Sequence, residues 1–284
     1  MNELNYIEED EYQLIIERGL PAKKIEKDDG SAPYFTEYIR RKLEIIDEEL
    51  DINLYKDGLV VHTTLDSRVQ NALEEAFNSG MRKNQKILNK EFLQDPIKLE
   101  EAIGFTQYDL DSARFILESN DTIPISLRNQ LLVQGAGIVL DPVHGHILGM
   151  IGGREEDIYR DHFNRATQAK RQPGSVFKPF IYLTALEQGY TTTTELLNQP
   201  LIVFIDDTTQ WNPQNHDGST GLLTTLREGL RRSLNLISVR VVQELIKPRD
   251  IVQNTKDFGL TTYIRAVDAI SLGVSEVYPL EITA

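Results

Sequence analysis

Two short apolar runs, Ala136-Gly-Ile-Val-Leu140 and His146-Ile-Leu-Gly-Met-Ile151, are separated by the turn chemistry of Asp141-Pro-Val-His-Gly145. The pattern predicts a β-hairpin, ended by Gly152-Gly153. Beyond it the apolar spacing turns helical, over about 175–189, 223–232, 236–247 and 249–258, the last stopped by Gly259. Strands followed by helices without regular alternation favour an α+β fold over a doubly wound sheet. Upstream, Ile39, Leu43, Ile46 and Leu50 recur every three to four residues and predict an amphipathic helix. Gly58-Leu-Val-Val-His-Thr-Thr-Leu65 is β-branched and predicts a strand, and Asp66-Ser67 offers an N-cap for a helix carrying Val69, Leu73 and Phe77. Residues 82–130 read as mixed helix and loop. Residues 1–30 are charged and close on Lys27-Asp-Asp-Gly-Ser31, a turn-like boundary.

Charge narrows the function. With 44 acidic against 30 basic side chains the net charge is −14, and no Lys/Arg cluster offers a phosphate-binding face, so nucleic acid is not an expected partner. The absence of cysteine removes disulfide frameworks and thiolate metal sites. No run approaches the ~20 apolar residues that span a bilayer, and the acidic start Met1-Asn-Glu-Leu lacks the basic and apolar parts of a signal peptide. A length of 284 residues allows about two domains.

The chemistry concentrates in Arg171-Gln-Pro-Gly-Ser-Val-Phe-Lys-Pro-Phe180. Pro179 lacks an N–H and fits only near a helix start, so Ser175 falls in or beside the first turn. Lys178, three residues on, shares its face and puts an amine within reach of the hydroxyl. The positive end of the helix dipole and burial both disfavour an ammonium there, and a neutral amine can take a serine proton and create an acyl-transfer nucleophile. Roughly one Ser-x-x-Lys is expected by chance in a chain of this length, so spacing alone favours two ordinary residues over a catalytic pair. Ser233 and Asn235, two apart in Arg232-Ser-Leu-Asn235, can offer a hydroxyl and an amide to one pocket, or serve as a helix cap.

Taken together these elements resemble the penicillin-binding proteins and serine β-lactamases, in which Ser-x-x-Lys is followed by Ser-x-Asn. Gln168-Ala-Lys-Arg-Gln-Pro-Gly-Ser-Val-Phe-Lys-Pro-Phe180 is similar to the nucleophile segment of class A penicillin-binding proteins. So are Trp211-Asn-Pro-Gln-Asn215 and Thr225-Leu-Arg-Glu-Gly-Leu-Arg-Arg-Ser-Leu-Asn235. Gly137–Pro142 with Met150–Arg154 resembles the first hairpin of the transpeptidase domain, and Ala32–Tyr38, Tyr55–Leu59 and Thr63–Asp66 resemble the linker that precedes it. The resemblance implies a transpeptidase / β-lactamase-like fold preceded by a mixed α/β linker region. It divides the chain into the tail of a glycosyltransferase domain (1–30), an interdomain linker (31–133) and the first part of a transpeptidase domain (134–284).

It also implies roles. Ser175 would attack the D-Ala–D-Ala carbonyl of a peptidoglycan stem peptide, Lys178 would be its base, and Ser233 would relay a proton to the leaving amine. Asn235 would hold the substrate amide, with Trp211 on the cleft wall. β-Lactams would acylate Ser175. No cofactor and no metal are implied, and the location would be the extracytoplasmic face of a bacterial membrane through an anchor in a longer parent chain.

The pattern breaks at one point. No Lys-Thr-Gly or Lys-Ser-Gly follows Asn235: Lys247 precedes Pro248 and Lys256 precedes Asp257. The resemblance therefore implies a fragment of a bifunctional synthase, with two of five central strands, an unpaired sheet edge and impaired catalysis. A β-lactamase-like hydrolase and a non-catalytic penicillin-binding-like module are the alternative readings. His144-Gly-His146 reads as exposed turn rather than metal site, and Glu155-Glu156-Asp157 and Asp206-Asp207 as solvated loop charges.

Overall fold

The computed structural model describes residues 32–50, 52–119, 123–154, 163–204 and 210–284. The segment 1–30 and the acidic clusters 155–157 and 206–207 lie outside the described residues.

Helix α1 (Pro33–Leu50) forms where the apolar spacing predicts it, and within residues 33–46 full burial is confined to its first turn. Tyr34 and Phe35 are buried, Phe35 against Met150 and Ala166, whereas Ile46 is exposed. Residues 58–65 form no strand, contrary to expectation. They run extended with Leu59, Val60 and Val61 exposed, and β-branching alone cannot make a strand without a ladder partner. Only the end of the segment finds one: Thr64 Oγ1 donates to Ile147 O (2.7 Å) and Asp66 N–H to Leu148 O (3.0 Å).

Asp66 then caps α2 (Ser67–Gln94), its side chain accepting from Arg68 N–H at 2.9 Å. At 28 residues α2 is about 42 Å long, enough to serve two cores. Its first half lies against the hairpin of β1 (Gly137–Leu140) and β2 (Ile147–Ile151), which pair antiparallel with Ile138 opposite Met150. Gln70, buried in the contact, accepts from Met150 N–H (2.9 Å) and donates to Met150 O (3.3 Å). Ile147, Leu148 and Met150 of β2 are thus engaged by Thr64, Asp66 and Gln70.

The second half of α2 meets α3 (Pro96–Ile103), α4 (Leu110–Ser119) and α5 (Arg128–Leu131) around Leu99, Ile103, Ala113, Leu117, Leu127 and Leu131. The region read as mixed helix and loop is thus mainly helical with its own core. Pro96 begins α3 without losing a helical donor, and Asp95 caps it through Lys98 N–H.

The larger core lies in the last hundred residues. It joins Phe177 and Ile181 to Ile237, Val241, Ile251, Ile270 and Val277. Around it run α6 (Lys178–Glu187), β3 (Glu195–Leu197) paired with β6 (Leu223–Thr225), and β4 (Val203–Phe204) paired with β5 (Gln210–Trp211). Then follow α7 (Leu226–Arg231), α8 (Asn235–Arg240) with a π turn over Val241–Leu245, α9 (Pro248–Asp257), and α10 (Pro279–Thr283). The helices expected near 223–232, 236–247 and 249–258 are all present, the first shortened by strand β6. At ~1.5–3 kcal/mol for each large buried apolar side chain, this cluster is what fixes the positions of α6 and α8.

Candidate active site

The site is built where the start of α6 meets the turn between α7 and α8. A 3-10 turn over Gly174–Phe177 leads directly into α6, with Lys178 first in the helix and Pro179 second. Phe177 is buried and anchors the turn from below, while Ser175 stays exposed. Arg171 and Val277 form a two-way backbone bridge (3.0 and 2.9 Å), and Gly174 N–H donates to Gly273 O at 3.2 Å. Gly273 ends a 3-10 turn over Asp268–Leu272 with φ 66°. A Cβ there would stand 2.2 Å from Gly174 O, so only glycine lets the two loops touch.

Lys178 is 1% exposed. Its ammonium donates to Ser233 O (2.7 Å), Ser233 Oγ (3.1 Å) and Asn235 Oδ1 (2.8 Å), one oxygen for each of its three protons. Burial nevertheless pulls the amine down to about 8. The sequence reading invoked the same depression from burial and helix dipole together; desolvation is the cause resolved here.

Ser233 adopts φ 54°, the left-handed region that residues with a Cβ seldom enter. Its N–H returns to Leu230 O (2.9 Å) and that of Leu234 to Gly229 O (2.8 Å), closing α7. In this turn the carbonyl and the hydroxyl of one serine face the same amine. The alternative in which Ser233 or Asn235 caps α8 does not hold: Leu234 occupies the cap position, with no side-chain cap bond. Asn235 instead accepts from Lys178 and donates through Nδ2 to Gln214 O at 2.9 Å.

Lys178, Ser233 and Asn235 are therefore in direct contact. Ser175 lies three residues before Lys178 on the adjoining turn, and its Oγ makes no hydrogen bond among the described residues; such bonds are commonly loose before substrate arrives. Trp211 pairs with Val203 across the β4–β5 ladder, and the link from its segment to the site is made by Gln214 and Asn215. Asn215 is a residue the sequence reading passed over. Buried, it donates through Nδ2 to Asn198 Oδ1 (2.8 Å) and Ser219 O (2.7 Å) and accepts from Leu236 N–H (3.0 Å) in the first turn of α8. Its place in Trp211-Asn-Pro-Gln-Asn215 was the available signal. Deeper in the fold, Tyr182 Oη meets Ser238 Oγ at 3.3 Å, and burial raises the phenol to about 12.

An exposed hydroxyl three residues before a buried amine of lowered basicity, with a second hydroxyl and an amide on that amine, suits proton transfer during acyl transfer.

Comparison with known proteins places this geometry. Residues 135–274 match the family model of the penicillin binding protein transpeptidase domain. Penicillin-binding protein 1A of Pseudomonas aeruginosa is 40% identical over 151 residues, 52% of this chain and 18% of that protein. Penicillin-binding protein 1A of Rickettsia bellii is 27% identical over an alignment covering 97% of this chain and 41% of that protein. The chain thus spans less than half the length of either relative. The structure of the PonA1 protein of Mycobacterium tuberculosis in complex with penicillin V shares the fold, with a TM-score of 0.58 at 21% identity over 89% of this chain and 57% of that one. Residues 135–274 belong to the penicillin binding protein transpeptidase domain family, with an α+β fold.

Proposed function

We propose that Ser175 is the nucleophile of a peptidoglycan D,D-transpeptidase that cross-links stem peptides through a serine acyl-enzyme. The observation that carries this reading is the buried Lys178 amine, bonded to Ser233 and Asn235 one turn from the exposed Ser175. In its neutral form Lys178 takes the Ser175 proton as Oγ attacks the penultimate D-Ala carbonyl carbon. The carbonyl π electrons move onto oxygen, where the Ser175 backbone N–H donates to the oxyanion. Collapse breaks the peptide C–N bond, and the departing D-Ala amine receives the proton from Lys178 through the Ser233 hydroxyl. The second N–H of Asn235 Nδ2 is left to hold the substrate amide, with Trp211 along the cleft wall.

An amino group of a second stem peptide then attacks the ester. Its surplus proton passes to Lys178 and on to Ser175 Oγ as the ester C–O bond breaks, restoring the enzyme. A β-lactam acylates Ser175 in the same way, but its amine stays tethered to the acyl group and blocks turnover.

The domain organisation belongs to the same proposal: residues 31–133 lead from a glycosyltransferase domain, ending in 1–30, into the transpeptidase domain at 134–284. The site works on the extracytoplasmic face of a membrane; among the described residues no helix is long and apolar enough to cross it. The 284 residues by themselves acylate slowly, because no Lys-Thr-Gly or Lys-Ser-Gly after Asn235 supplies a cationic carboxylate anchor.

The test is intact-mass analysis after prolonged incubation with benzylpenicillin. One covalent equivalent is expected on the wild-type chain and none on Ser175→Ala. An adduct that survives Ser175→Ala overturns the assignment, and rapid release of hydrolysed penicillin favours a β-lactamase-like hydrolase instead. If neither protein forms an adduct even when extended through the next lysine-bearing strand, the module is non-catalytic.

A further inference from the structure

The turn joining β1 to β2 carries a second group of chemistry-bearing side chains, none of them used by the acyl-transfer site. The sequence offers His144-Gly-His146 and no more; the fold adds Asp141. Asp141 N–H donates to His146 O and Gly145 N–H to Asp141 O, both at 2.8 Å, so the turn closes on itself and brings its two ends together. Gly145, with φ 69°, makes the reversal possible.

As a result one ligand atom each from Asp141, His144 and His146 lies within 4.8 Å of the other two. The imidazoles stack with centroids 5.3 Å apart and an interplanar angle of 20°. Asp141 Oδ1 accepts from Val143 N–H (2.9 Å) and Oδ2 contacts His144 Nδ1. The His146 ring has no hydrogen-bond partner among the described residues. Both histidines are exposed and Asp141 is half-buried.

We propose that Asp141, His144 and His146 bind a divalent transition-metal ion, of which zinc is the representative. Two imidazoles and one carboxylate form the nitrogen-rich donor set that suits zinc, copper or nickel, whereas magnesium and calcium select oxygen. Bond lengths of about 2.0–2.2 Å set ligand atoms roughly 3–3.5 Å apart. The present separations reach that range by side-chain rotation alone, with the backbone of the turn already fixed by its two internal hydrogen bonds. The ion takes the place of the proton between Asp141 Oδ2 and His144 Nδ1. It ties together residues 141 and 146, which frame the start of β2, and leaves its remaining coordination position to water.

Calorimetric titration of the whole chain with zinc chloride tests this. One equivalent is expected to bind, with at least a tenfold loss of affinity in Asp141→Asn and abolition in the double variant His144→Gln/His146→Gln. The double variant leaves the backbone bonds of the turn untouched, and circular dichroism checks that it folds. His62→Gln and His216→Gln, elsewhere in the chain, are expected to bind as wild type. Absence of saturable binding to the wild-type chain overturns the proposal. So does unchanged affinity in the double variant, or magnesium binding as tightly as zinc at the same residues.

Discussion

Lys178 carries an amine that is neither a free surface charge nor a fully paired one. Three oxygens receive its protons, yet all three belong to neutral groups, so no counter-charge offsets the desolvation that lowers it to about 8. About one amine in ten is then neutral at pH 7. Acylation by benzylpenicillin is accordingly expected to speed up as pH rises toward 8 and to level off above it, read as a pH profile of the second-order rate. Lys178→Met is expected to slow that rate by about 10²- to 10⁴-fold and to flatten the profile.

The same depression has a stability consequence of fixed sign. In the unfolded chain the group titrates near 10.5. Between about 8 and 10.5 the unfolded chain binds more protons than the folded one, so the residue's unfavourable contribution is present in full below pH 8 and fades across that window. Urea melts at several pH values, with Lys178→Met as reference, measure it. At Asn215 the expectation is different in kind. Asn215→Ala strands Leu236 N–H, Asn198 Oδ1 and Ser219 O, and is expected to destabilise by about 2–3 kcal/mol in urea while also slowing acylation, since Gln214 next to it holds Asn235.

Among elements, the two loops that meet at Gly174 and Gly273 hold the start of α6 in register with Ser233. Gly273→Ala forces a Cβ into the Gly174 carbonyl, and the turn bearing Ser175 must shift by about 1 Å or more. Displacements of this size cost about 10²-fold in rate, so acylation is expected to fall by that order with helix content, followed by circular dichroism, unchanged. That contact could not be foreseen from sequence, because it joins residues a hundred positions apart through backbone atoms that any residue possesses. The hairpin, the first turn of α6 and the helices after residue 223 were legible, since local apolar period and proline placement decide them. The 58–65 segment misled: its composition is that of a strand, but strand formation depends on a partner, and only Thr64 and Asp66 reach one. The motif residues Ser175, Lys178, Ser233 and Asn235 were legible as types in order. The left-handed turn that aims both oxygens of Ser233 at one amine was not, since serine gives no sign of positive φ.

At the scale of the molecule, α2 packs its first half on the β1–β2 hairpin and its second half into the Leu99–Leu131 cluster, which shares no buried residue with the larger core around Phe177 and Ile237. The smaller one, around Leu117 and Leu127, involves none of the elements that build the acyl-transfer site. Leu117→Ala is expected to cost about 2–5 kcal/mol of the stability of the α2–α5 unit, seen as an earlier transition in urea. The benzylpenicillin acylation rate below that transition is expected to stay as in wild type. A loss of acylation in step with the loss of this unit would instead show that the two cores fold as one.

The way Gln70 meets Met150 bears on how such a molecule stays separate from its copies. A primary amide can turn one N–H and its carbonyl to a strand at nearly the spacing of a peptide group, its other N–H here going to Glu74 Oε1, so Gln70 reads to β2 as a strand one residue long. A true neighbouring strand would expose a fresh edge of its own and pass the invitation outward. A side chain projecting from a helix has no further edge to offer, so pairing on this flank ends with it, much as a monofunctional reagent terminates a growing polymer.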